Sequence, residues 1–242
     1  MFQKDFHKSI FLSIFLLAIF ILPISAYAGW SALGSGMNGS VESLVFDNTG
    51  KMYVGGAFTS ADGVSASYVA QWNSSTSTWS ALGAGTNRSI NALAYSNGFL
   101  YAGGNFTTAG GAASNKIAKW NTTTLTWSAL GLGIDTYPVN ALAVDKSGNL
   151  YVGGSFITAG GITVNGIAKW NPTNSTWSAL GSGLTGYGAK SLAFDSAGNL
   201  CRRAFHRCGR YFCKQYRKME SYHFKVERIR FRIRHYRPCT YG

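Results

Sequence analysis

The chain has 242 residues and a formal net charge of +13, which by itself would suggest an anionic partner. The charge is not spread evenly: Gly29 to Leu200 carries 7 Lys or Arg against 6 Asp or Glu, whereas Cys201 to Gly242 carries 13 against 2. A basic nucleic-acid or membrane surface is therefore excluded for the larger part, and the two compositions are read separately.

The first 28 residues read as a secretory signal peptide. Lys4 and Lys8 precede an almost unbroken apolar run from Ile10 to Leu22, then Pro23 and the Ala26-Tyr27-Ala28 cleavage pattern. The apolar run is short for a bilayer span of about 20 residues. The expected mature protein begins near Gly29, is exported, and has no membrane span after cleavage.

From Gly29 onward the sequence repeats itself, the signature of a solenoid or propeller. WSALG recurs at Trp30, Trp79, Trp127 and Trp177, spaced by 49, 48 and 50 residues. A glycine pair recurs at Gly55-Gly56, Gly103-Gly104 and Gly153-Gly154, and a second tryptophan, always followed by Asn, at Trp72, Trp120 and Trp170. Three units are complete; a fourth begins at Trp177 and stops matching after Leu200.

Each unit holds four short strand-like runs. In the third these are 126–131, 139–145, 149–156 and 166–171. The second run alternates, with Val139, Ala141 and Ala143 expected on one face and Asn140, Leu142 and Val144 on the other. Turn formers separate the runs, and no helical period is visible. Four antiparallel strands per unit is the scale of a propeller blade, and one such sheet must stack on neighbours to bury its faces. The aromatics are expected between blades, and the glycine pair on a strand near the central axis, where backbones crowd. The WSALG strand that precedes the first full set is suited to completing the last blade of a ring. The expected fold is all-β: four-stranded blades forming an incomplete β-propeller, with a linear β-solenoid as the alternative.

The motifs Y-V-G-G-x-F-x-T-A-G-G and I-A-K-W-N resemble repeats of large exported bacterial and archaeal surface proteins. They also resemble the repeat domain of fungal cortical-marker proteins and, more loosely, kelch-like propellers. The resemblance covers Gly29 to Leu200. It implies repeat architecture in a surface or interaction protein and no particular activity.

After Leu200 the expected YVGG is replaced by Cys201-Arg202-Arg203, in mid-strand. Shifted by one nucleotide, these codons permit Val-Gly-Gly. Met219-Glu220 contains Trp in that frame whatever the codon choice, and Val226-Glu227 permits another seven codons on, the spacing of Trp120 to Trp127. The residues 201–242 therefore read as a frameshifted tail and not a domain. The spacing of Cys201, Cys208, Cys213 and Cys239 matches no C-x₂-C zinc pattern. A disulfide set, or an anion-binding role for the basic run 228–237, is the rival reading of the tail.

Between Gly29 and Leu200 there is no His or Cys, no Ser-His-Asp set and no phosphate loop. Asp47, Asp145 and Asp195 recur at one position; calcium is one reading, and an Asx-type turn with glycine at the positive-φ site is favoured. Lys119 and Lys169 are expected at a solvated strand position. No cofactor, metal or catalytic residue is expected. The expected function is a non-enzymatic exported or cell-surface module that binds an extracellular glycan or protein, a fragment of a longer propeller. A fragment of a carbohydrate-active propeller enzyme, or a non-functional and poorly soluble truncated product, are the alternatives.

Overall fold

The computed structural model describes residues 31–135, 137–184, 188–208 and 211–218. The signal segment, with Ala26 and Ala28, lies outside the described residues, as does the chain after 218. The described residues from Leu33 onward form one compact unit. Every regular element among the described residues is a strand, and no helix there is long and apolar enough to cross a membrane.

Three four-stranded antiparallel sheets follow one another along the chain. The first comprises β1 (Val41–Phe46), β2 (Met52–Gly56), β5 (Val69–Asn73) and β6 (Thr78–Ala81), in that spatial order. The second comprises β7 (Ile90–Ser96), β8 (Phe99–Gly104), β11 (Ile117–Asn121) and β12 (Thr126–Ala129), and the third β13 (Val139–Val144), β14 (Leu150–Gly154), β17 (Ile167–Asn171) and β18 (Thr176–Ala179). A two-stranded hairpin interrupts each sheet between its second and third strands: β3 (Ser60–Ala61) with β4 (Val64–Ser65), β9 (Thr108–Ala109) with β10 (Ala112–Ala113), and β15 (Thr158–Ala159) with β16 (Ile162–Thr163). A fourth sheet has three strands: β19 (Ser191–Phe194), β20 (Leu200–Cys208) and β21 (Tyr211–Lys218). These are blades of an incomplete β-propeller, and the sheets do not close into a ring.

The first strands of successive blades pack together, β1 on β7, β7 on β13 and β13 on β19, so they are the innermost. Trp-Ser-Ala lies on the outermost strand, β6, β12 or β18. A blade therefore starts one strand later than the unit that begins at tryptophan. The glycine pair lies on the second strand and not the innermost one.

Each glycine of the pair answers to a different neighbour. A Cβ on Gly55 would fall 2.6 Å from Ile90 Cγ2, and one on Gly153 would fall 2.7 Å from Ala189 Cβ, each in the following blade. A Cβ on Gly103 would overlap Val139 Cγ1. Cβ atoms on Gly56, Gly104 and Gly154 would instead strike the carbonyl oxygens of Ser40, Ser89 and Pro138, just ahead of their own first strands. The first glycine thus sets the distance between blades and the second the distance within one.

The innermost strands depart from simple alternation. The register shifts between Val41 and Ser43, Ile90 and Ala92, and Val139 and Ala141, leaving Glu42, Asn91 and Asn140 as bulged residues. The bulge turns Val139 and Leu142 to the same side, where both would meet a Cβ at Gly103. Alternation alone had assigned them opposite faces. Asn91 uses its amide to bridge blades, Nδ2 donating to Val139 O at 2.9 Å.

At the outer radius the tryptophans pair across strands in register, Trp72 with Trp79, Trp120 with Trp127 and Trp170 with Trp177, their centroids 5.2, 5.4 and 5.1 Å apart. The second of each pair reaches back to the preceding repeat. Trp79 Nε1 donates to Leu33 O at 3.0 Å, Trp127 Nε1 to Leu82 O at 2.8 Å and Trp177 Nε1 to Leu130 O at 2.9 Å. The aromatics thus pair across strands and also lie against the connection from the preceding blade, Trp120 beside Gly83 and Trp170 beside Gly131.

Gly103→Ala is expected to destabilise the chain by about 2 kcal/mol, the cost of overpacking a tight interface. Adding Val139→Ala should recover part of that loss, read as the urea midpoint of each single variant and the pair.

Candidate functional site

The loops at one end of the blades carry the side chains that differ from repeat to repeat. Their scaffold is a polar clamp between the segment entering each blade and its two-stranded hairpin. Asn38 Oδ1 accepts from the amides of Thr59 at 2.8 Å and Ser60 at 2.9 Å, while its Nδ2 donates to Thr59 Oγ1 at 2.8 Å. Asn87 does the same with Thr107 and Thr108. In the third blade the pair changes together. Asp135 Oδ2 accepts from the amides of Ile157 at 3.2 Å and Thr158 at 2.9 Å, and no amide group is needed because Ile157 has no hydroxyl. Asp135 Oδ1 is left buried with no hydrogen-bond partner. Asn38 and Asn87 head Asn-x-Ser sequences, and their side chains are consumed in this clamp.

A second difference borders a cavity. Tyr68, Lys116 and Gly166 occupy one repeat position, each with positive φ. Lys116 Nζ donates to Asn105 O at 3.3 Å, so its side chain lies along blade two. Ser155 is the counterpart of Asn105, and beside Gly166 lies a cavity of about 350 Å³ lined by Ser155, Phe156, Ile157, Asn165, Ser182 and Leu184. The same loop region exposes large apolar side chains: Leu132 at 73%, Ile157 at 54% and Ile162 at 41%. The other complete repeats have Ser35 and Ala84, Thr59 and Thr107, and Val64 and Ala112 there.

At the opposite end lie the recurring aspartates, and each is spent on a turn. Asp47 Oδ1 accepts from the amides of Thr49 at 2.8 Å and Lys51 at 3.0 Å, and Asp145 Oδ1 from those of Ser147 and Asn149, both at 2.9 Å. Asp195 Oδ1 accepts from Asn199 N at 2.8 Å. Gly50, Gly148 and Gly198 hold the positive φ that these turns need. Blade two replaces the turn with Asn97-Gly98, both at positive φ, the two-residue hairpin type that requires no aspartate. Among the described residues no three His, Cys, Asp or Glu are grouped as a metal site would require.

Two tyrosines complete these turns. Tyr53 OH donates to Asp47 Oδ2 at 3.2 Å, and Tyr151 OH to Asp145 Oδ2 at 3.3 Å. Burial raises the Asp47 pKa, but hydrogen bonds from Thr49, Lys51 and Tyr53 outweigh it and hold the carboxyl below its ordinary value. Burial, then the charge of Asp145 and the hydrogen bond to it, push Tyr151 up to about 12. Tyr53 is raised by the same combination with Asp47, and Tyr101 by burial alone.

Lys119 and Lys169 are half-buried and not simply solvated. Lys119 Nζ lies 4.9 Å from the Phe99 ring centroid, and Lys169 Nζ 5.6 Å from that of Tyr151. Gln71 stands at their position in blade one. All twelve repeat residues singled out by periodicity occupy equivalent places, the glycines on β2, β8 and β14 and the tryptophans on the two outer strands. They form the frame of the loop face and not its variable surface. The cavity beside Gly166 is not marked by the repeat pattern, because part of its lining comes from loop residues that do not recur.

Blades of this order and register define a β-propeller repeat protein. Residues 28–144 match the family described as the Rax2 C-terminal beta propeller domain. No curated protein matches the chain. Among solved structures, the computationally designed Ika4 protein is 14% identical with a TM-score of 0.50, over 79% of this chain and 100% of that one. The extracellular domain of a one-component system from B. thetaiotaomicron is 12% identical with a TM-score of 0.47, over 67% of this chain. The chain spans only 20% of that domain's length. The WD40 beta propeller domain of Doa1 is 16% identical with a TM-score of 0.48, over 68% of this chain and 48% of that one.

The raised tyrosines set the alkaline limit. Their folded pKa values lie above the unfolded value of about 10, so on raising the pH the unfolded chain loses these protons first. Stability is then expected to be full below about pH 10 and to fall as pH rises toward about 12. Urea midpoints at successive pH values check this, and Asp145→Asn, which removes a charge that raises Tyr151, should flatten the fall.

Proposed function

We propose that the chain is an exported, non-enzymatic surface module whose loop face binds an extracellular glycan or protein, and that it is part of a longer propeller. The observation that carries this reading is the contrast between a uniform frame and a varied loop face. The tryptophan pairs and interblade glycines repeat unchanged, while the loops of the third blade expose Leu132, Ile157 and Ile162, and Ile157 lines a cavity. Rigid elements carrying varied loops are a recurrent basis of recognition.

The carboxylates support the non-enzymatic part. Glu42 accepts from Ser40 Oγ at 2.8 Å, Asp62 from Ser35 N at 2.7 Å, and Asp47, Asp135, Asp145 and Asp195 from the turns and clamp described above. Each acid is engaged locally instead of being paired across a cleft, as acid–base hydrolysis requires. The apolar leader with Ala26 and Ala28 supports export. The shifted-frame Val-Gly-Gly at Cys201 supports a longer parent, because it restores the interblade glycine where this chain has Arg203.

The test is binding of the frame-restored protein to glycan and matrix-protein panels. Binding is expected, and Ile157→Ser, which removes the exposed apolar side chain lining the cavity, is expected to weaken it at least tenfold. Binding to no member of either panel would count against the module reading, and hydrolysis of a glycan would favour the enzyme alternative.

A further inference from the structure

One end of the blade stack is bare. Val41, Leu44 and Phe46 on β1 are 43%, 56% and 57% exposed. The counterparts of Val41 and Leu44 are covered: Ile90 is 0% and Leu93 7% exposed, Val139 0% and Leu142 9%, Ala189 0% and Leu192 8%; those of Phe46, namely Tyr95, Val144 and Phe194, are half-buried. What covers each counterpart is a glycine strand of the preceding blade, at Gly55, Gly103 and Gly153. The molecule thus shows three times what belongs on the face of β1.

We propose that the β1 face is an acceptor for a propeller blade of the same repeat type, with glycine at the position of Gly55, and that a second copy of this chain is excluded as its occupant. The exclusion comes from the other end of the stack. Ser191 pairs with Arg203 as Ser43 pairs with Gly55, Ala92 with Gly103 and Ala141 with Gly153. The last blade therefore carries arginine at the one register position where even a methyl group would collide with a following blade. The glycine strands of the three complete blades are already covered, so a copy of this chain has no free strand to offer. The occupant is narrowed further by Leu33. Its carbonyl accepts Trp79 Nε1, the role that Leu82 and Leu130 play as the ends of outermost strands. That acceptor is already in place, and what the face lacks is the inner strands of a blade. The proposal specifies the fragment reading at one surface and stands even if the loop face binds neither glycan nor protein.

Sedimentation velocity of the full chain tests it, with Cys201→Tyr/Arg202→Val/Arg203→Gly/Ala204→Gly as the probe that restores a glycine strand. The unaltered chain is expected to sediment as a monomer. The fourfold variant is expected to self-associate and to capture the unaltered chain, and Leu44→Asp in the captured chain should weaken capture at least tenfold. Head-to-tail association of the unaltered chain as tight as that of the variant would overturn the proposal, as would a folded variant that captures nothing. A second measurement serves if the fourfold variant does not fold. Leu44→Asp should leave the melting temperature of the unaltered chain nearly unchanged, whereas Leu93→Asp should lower it sharply. Equal losses would mean that the β1 face is already covered within the chain, and the proposal would fail.

Discussion

The stack depends on side chains that are absent. At Gly55, Gly103 and Gly153 the second strand of one blade presents bare backbone to the first strand of the next, and Ile90, Val139 and Ala189 occupy the space a Cβ would take. The bulges at Asn91 and Asn140 serve the same contact by turning Leu93 and Leu142 to the side of Ile90 and Val139. Burial of these side chains supplies the driving force, and the glycines determine how closely it can act. At the outer radius the tryptophan-to-leucine hydrogen bonds fix the same neighbours a second time. Contacts at both radii hold each blade in angle as well as in distance.

This division leaves the loop ends free to vary. The clamp tolerates the joint change of Asn and Thr to Asp135 and Ile157, because the two backbone amides still find an acceptor. Tyr68, Lys116 and Gly166 exchange at a position that needs only a backbone able to adopt positive φ. Where the pattern fails at Arg203, the consequence is of another kind. β2, β8 and β14 end at their second glycine, and a small hairpin follows; β20 has no glycine pair and runs on to Cys208, pairing with β21. The change strikes the interblade surface itself and not a variable loop.

Much of the frame was legible in the sequence. Equal spacing of WSALG, the glycine pair and Trp-Asn gave the blades, their strand number and their stacking, because each contact recurs once per repeat. The aspartate turns were legible for a similar reason: Asp followed by Gly three residues on is enough to close them. The starting point of a blade was not, since a cyclic repeat reads the same from any of its four strands. The bulges were hidden because one extra residue in a six-residue strand leaves the apolar pattern almost intact. The cation–π contacts of Lys119 and Lys169 depend on which ring lies across the strand, as Phe99 and Tyr151 do, and neighbours in sequence do not show that.

Native-state hydrogen exchange compares the innermost strands most directly. β7 and β13 lie between two neighbours, and β1 has only one. If glycine-strand docking is what stabilises a blade, amides of β7 and β13 should exchange slowly and together, and those of β1 considerably faster. Protection of β1 equal to that of β7 would contradict the account, since it would mean that a blade is stable without a preceding glycine strand against it.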